Sequence, residues 1–137
     1  MEYIKGMRPL SHPSIQDITV EGILYAFSDP VRVQIFAGMQ SSGCPKTCSN
    51  FLMLDDRKLP KSTLSQHFKI LRESGLIRSE RKGVEMHNTT RCMELKERFG
   101  PLISAVMDAY RLQRDAEILK NRKTEKLKLK RDLSFKL

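Results

Sequence analysis

Residues 60–77, PKSTLSQHFKILRESGLI, gather Ser62, Thr63, Ser65, Gln66 and His67 within one short stretch, followed by Lys69 and Arg72. Most of these side chains are short and polar, and none is a strong nucleophile. The amide of Gln66 can make two hydrogen bonds to an adenine edge, and the hydroxyls let a backbone approach bases or phosphates. Lys69 and Arg72 add charge-assisted contacts to phosphate oxygens, and His67 can donate to a base or a phosphate. Arg81-Lys82-Gly83 then sets two cations beside a turn glycine. This is chemistry of recognition, not of bond-making. The chain shows no glycine-rich phosphate loop, no paired carboxylates in an apolar setting and no Cys/His pair with a third orienting group, so no enzyme activity is expected.

A helix over 61–74 would position these groups. In it Leu64, Phe68 and Leu71 share one apolar face, while Ser62, Gln66, Lys69 and Glu73 lie opposite. Ser65 and Thr63 fall on the flanks, His67 near the edge of the buried face, and Gly75 suits the helix end. Short strands at 76–81 and 84–90, joined at Lys82-Gly83, predict a hairpin.

Upstream, Pro9 and Pro13 make residues 1–17 an extended arm. Ile18, Ile23, Leu24 and Phe27 predict a short amphipathic helix. Asp29-Pro30 then starts a second helix with Val31, Ile35 and Met39 as its buried stripe, ending at Ser41-Ser42-Gly43. Thr47 is a candidate cap for one or two turns carrying Phe51, Leu52 and Leu54, and a polar loop follows at 55–58. Gly100-Pro101 is expected to begin a long helix with Leu102, Ile103, Val106, Met107 and Tyr110 buried along one side. The closing KLKLKRDLSFKL leaves a strand, a helix extension and a mobile tail open.

The 137 residues carry 25 Lys+Arg against 16 Asp+Glu, net +9, and the surplus is uneven. Residues 57–91 hold 9 basic and 3 acidic side chains, and residues 111–137 hold 10 and 4, net +6 in each case. Residues 1–56 and 92–110 are close to neutral. A polyanionic partner fits, nucleic acid or a membrane surface. No apolar run approaches the length of a membrane span, and three cysteines are too few for a disulfide scaffold, so a reducing cytoplasm is expected. Cys44 and Cys48 flank Lys46, which favours thiolate; a soft ion, a metalloid or a disulfide stands there against the plainer reading of two small half-buried side chains. Cys92 reads as a packing residue, and His12 and His87 as isolated ones.

The order of helix, helix, short helix, long helix, hairpin and helix is that of a winged helix-turn-helix, mainly α with a small β-hairpin wing. FSDPVRVQIF, PKSTLSQHFKILRESGLI and the RKG hairpin resemble the ArsR/SmtB family of bacterial transcriptional regulators over roughly residues 18–110. RPLSHP and ERFGPLISAV are similar to a subgroup without an obvious metal site. The resemblance implies a homodimer built on the first and last helices, helix 61–74 as the recognition helix, the 76–90 hairpin as wing, and repression by occupying a double-stranded DNA operator. Ser62, Thr63, Ser65, Gln66 and His67 match family positions that face DNA. The family's two usual metal sites are not expected: three residues, Pro45 among them, separate Cys44 from Cys48, and no histidine follows His87. Two departures stand out, a longer loop before helix 61–74 and a basic extension, 111–137, beyond the region of likeness. No cofactor is expected. The alternative is a sequence-tolerant architectural nucleic-acid binder, which would need only lysines and arginines.

Overall fold

The computed structural model describes residues 10–42, 53–54 and 57–135. A 3-10 turn at Ile15–Asp17 precedes α1 (Val20–Ala26) and α2 (Pro30–Ser42). Two minimal strands, β1 (Met53–Leu54) and β2 (Arg57–Lys58), pair antiparallel. Then come α3 (Lys61–Glu73), the hairpin of β3 (Ile77–Lys82) and β4 (Glu85–Thr90), and α4 (Cys92–Phe135). The molecule divides into two compact units between Gly100 and Pro101.

Local chemistry explains the boundaries. Thr19 caps α1 by accepting the Gly22 N–H at 3.1 Å, and Asp29 accepts the Val31 N–H at 2.8 Å, just where Pro30 opens α2. α3 ends in a Schellman turn: Leu76 N–H reaches Leu71 O at 3.1 Å and Gly75 N–H reaches Arg72 O at 3.1 Å. Gly75 takes φ +89°, and a Cβ there would overlap the Ile18 side chain, so both backbone and packing require glycine. The core of the first unit joins Ile18 and Ile23 to Ile35, Phe36, Leu64, Phe68, Leu71, Leu76, Ile77, Leu95 and Phe99. Phe27 meets Phe36 edge-on, ring centroids 5.3 Å apart.

The hairpin register pairs Ser79 with Asn88, both buried. Ser79 Oγ donates to Asn88 Oδ1 at 2.6 Å, and Asn88 Nδ2 donates to Met86 O at 3.3 Å, so the polar pair is satisfied inside the sheet.

Several expectations change. The last helix starts at Cys92, not at Gly100, and carries Pro101 internally. Burial of Leu95 and Phe99, with Arg91 holding Glu94, anchors its first turns and outweighs the hydrogen bond Pro101 cannot make. The hairpin turn is Gly83-Val84, one residue later than expected; Gly83 has φ +64° and Lys82 is the last residue of β3. Leu54 lies in β1 instead of a helical turn. In α2 the buried stripe runs through Arg32, Phe36 and Met39 with Val33 and Ile35, while Val31 is only half-buried. Leu24 is exposed on α1. Along α4, Ile103 is buried but Leu102, Val106, Met107 and Tyr110 are half-buried. Of the three options left open for the C-terminal stretch, the helix holds, through Phe135.

Candidate nucleic-acid interface

α3 presents its polar residues because Leu64, Phe68 and Leu71 take the opposite side into the core. Ser62, Thr63, Ser65, Gln66 and Lys69 are all exposed. Ser62, Thr63, Gln66 and His67 line one open depression of about 350 Å³ with Arg32 and Ile70. Pro60, at the N-cap, has no side-chain acceptor to offer the first N–H groups of α3, and Ser62 and Thr63 stand at that end.

His67 is the half-buried member of the group. Its Nδ1 lies 3.3 Å from Nη1 of Arg32, a residue that sequence reasoning did not single out. Burial depresses the His67 pKa below its ordinary value of 6.5; Asp29 opposes that shift and the Arg32 charge reinforces it. The signal for Arg32 was its spacing, four residues before Phe36 and seven before Met39, which puts it in the buried stripe.

The remaining candidates lie elsewhere in the same unit. Arg72, half-buried in the last turn of α3, acts electrostatically on His12, as do Arg78 and Arg91. Arg81 and Lys82 are exposed at the end of β3, beside the Gly83-Val84 turn. The base of the hairpin is tied to its neighbours: Ser79 N–H donates to His12 Nε2 at 2.9 Å, and Arg91 Nη1 donates to Pro13 O at 2.8 Å. Arg91 also holds Glu94 at 2.8 Å, with Arg78 at 3.1 Å from the same carboxylate, and the Arg91 hydrogen bonds do most to keep Glu94 below its ordinary pKa. His12, read as isolated, is therefore a structural acceptor. Cys92 is half-buried and accepts from Gln40 Nε2 at 3.2 Å. Cys44 and Cys48 lie outside the described residues. Among the described residues, no group of three or more His, Cys, Asp or Glu side chains is placed to hold a metal, and no helix is long and apolar enough to cross a membrane.

Residues 55–79, which contain all of α3, match the sequence profile of the bacterial regulatory protein, arsR family. That segment is similar to the helix-turn-helix of the arsR family. An uncharacterized HTH-type transcriptional regulator from Methanocaldococcus jannaschii is 31% identical over 61 residues. That alignment takes in 44% of this chain and 65% of the relative, just under two thirds of its length. HlyU from Vibrio cholerae N16961 superposes with TM-score 0.51 at 21% identity, over 67% of this chain and 88% of that one, which is a likeness of fold. An ArsR-like transcriptional regulator from Rhodococcus sp. RHA1 gives TM-score 0.47 at 21% identity, over 74% of this chain and 91% of that one. The architecture is a winged helix-turn-helix, mainly α with the β3–β4 hairpin as its wing. Regulatory proteins, not enzymes, make up the arsR family.

Proposed function

We propose that this chain is a sequence-specific DNA-binding transcriptional regulator, a homodimeric repressor working in the cytoplasm that seats α3 in the major groove and lays the β3–β4 hairpin along the neighbouring backbone. The observation that carries this reading is the exposed face of α3, where Ser62, Thr63, Gln66 and His67 surround one depression. Amide and hydroxyl groups there suit base-edge hydrogen bonds, whereas a binder of backbone alone would need only lysines and arginines. In this reading Gln66 reads a base and Ser62, Thr63, Ser65 and His67 contact bases or phosphates. Lys69 and Arg72 supply phosphate contacts, and Arg81 and Lys82 do so from the wing.

Dimerisation through α1 and α4 fits the apolar side chains α1 leaves uncovered, since Val20, Leu24 and Tyr25 are 48%, 48% and 62% exposed. Sedimentation velocity should give a single species of twice the chain mass.

The test of function is fluorescence anisotropy with the DNA upstream of this gene and with a shuffled duplex, at about physiological salt. A preference of roughly a thousandfold is the expected result. Equal affinity for both duplexes with a steep salt dependence would instead favour the architectural binder, a reading supported by the exposed basic helix over 111–135.

A further inference from the structure

We propose that Arg32 is a positioning residue that holds His67 as the neutral Nε2–H tautomer, so that α3 presents a hydrogen-bond donor to DNA at this position and not an acceptor. The inference rests on the reading of α3 as the recognition helix and adds what that helix can read.

Arg32 is 6% exposed and tied down from several directions. Its Nε donates to Ala26 O at 2.7 Å and its Nη2 to Tyr25 O at 3.1 Å, while the guanidinium carbon lies 5.3 Å from the Tyr25 ring centre. Asp29 Oδ2 stands 3.9 Å from Nη1. The same Nη1 reaches His67 Nδ1 at 3.3 Å. A guanidinium has donors and no acceptor, so Nδ1 must meet it with a lone pair, and the imidazole proton then sits on Nε2. Adding a second proton at Nδ1 would oppose two N–H groups and two positive charges. The groups bearing on the ring are Arg32, which resists that protonation, and Asp29, which favours it; burial adds to the resistance.

The consequence is directional. The ring lines the depression it shares with Ser62, Thr63 and Gln66, and the only donor it has left is Nε2–H. Its target is an acceptor atom of the duplex: a purine N7, guanine O6, thymine O4 or a phosphate oxygen. An exocyclic amino group offers it nothing. Duplexes with 7-deazapurines at successive positions, set against duplexes with single methylphosphonates, separate a base acceptor from a phosphate one.

The first measurement is the long-range ¹H–¹⁵N spectrum of the uniformly labelled full chain at about neutral pH. It should show His67 with Nε2 protonated and Nδ1 bare; the opposite tautomer, or an averaged pair, overturns the proposal. Next, His67→Gln keeps a donor near the Nε2 position and should hold operator affinity, whereas His67→Ala should lose roughly 3- to 10-fold, the worth of one hydrogen bond. Equal losses for the two variants count against a donor role. Arg32→Met should raise the His67 titration, so that any tightening of binding on acidification sets in at a higher pH than in the wild-type chain. A merely structural Arg32 would lower stability without that shift in titration. Should Arg32→Met fail to fold, the wild-type spectrum and the two His67 variants still decide. A wild-type chain that binds no duplex removes the regulator reading, and the role given to His67 with it, even where the tautomer is as stated. A chain that binds its operator with the other tautomer overturns this inference alone.

Discussion

α3 and residues 111–135 of α4 are both helical, yet for different reasons. α3 has a buried face of Leu64, Phe68 and Leu71 and a glycine-closed Schellman end, so it is set by the core it packs on. In residues 111–135 every side chain except Arg114 is exposed, including those of Leu112, Leu127, Leu129, Leu133 and Phe135. That stretch contains no glycine or proline and is rich in Leu, Lys and Arg, good helix formers. Its internal support is local, as between Gln113 and Glu117 at 3.4 Å or between Arg114 and Tyr110 at 3.3 Å. A helix pinned by burial can aim particular side chains; a helix held by propensity supplies charge without direction. Under the proposed function, specificity would fall to α3 and salt-dependent affinity to the basic stretch.

The contrast is broken most sharply through stability. Phe68→Ala should cost about 3–5 kcal/mol in urea unfolding, while Leu129→Ala should stay within about 0.5 kcal/mol. Comparable losses would mean that the basic stretch packs against something, a partner subunit included. Gly75→Ala comes next, at about 2–3 kcal/mol, because the new Cβ meets Ile18 at a positive φ. Gln66→Ala should reduce operator discrimination by about 1–3 kcal/mol and leave random-sequence binding nearly unchanged; Lys82→Ala should weaken both duplexes alike. Ending the chain after Tyr110 should lower the salt slope of binding and spare the ratio of operator to random affinity; an unchanged slope would remove residues 111–137 from the interface.

The smallest effect concerns acid. His12 accepts the Ser79 N–H and His67 meets Arg32, so both favour the neutral ring and both pKa values lie below 6.5, burial being the first cause in each. The unfolded chain takes up protons near pH 6.5 where the folded one does not yet. Stability is thus fully present above about pH 6.5 and declines as pH falls through the lowered folded values. His12→Gln should flatten part of that decline in urea titrations below neutrality.

α3 was legible in the sequence because its apolar period, its hydrogen-bonding face and its glycine stop all agree. The hairpin was legible as well, apart from a one-residue shift in the turn, since Gly83 fits either of two adjacent placements. The start of α4 was not, because Gly100-Pro101 is strong local punctuation that the burial of Leu95 and Phe99 overrides. β1 was missed as well: two residues carry no period. At the site, exposure of Ser62, Thr63, Ser65, Gln66 and Lys69 followed from helical geometry alone. The Arg32–His67 contact did not, because it joins two helices whose packing no single segment encodes. Arg72 shows a further limit, since spacing placed it with Lys69 whereas its charge bears on His12.

The Ser79–Asn88 hydrogen bond at 2.6 Å inside the hairpin acts as a key for strand alignment. If one strand slid by a single residue, Asn88 would swap faces, the buried serine would lose its acceptor, and a neighbouring side chain would be driven inward. That misalignment is expensive, so the ribbon closes at Gly83-Val84 and keeps Arg81 and Lys82 beside the tip. The two cations at the end of the wing thus owe their address to an uncharged pair several residues away.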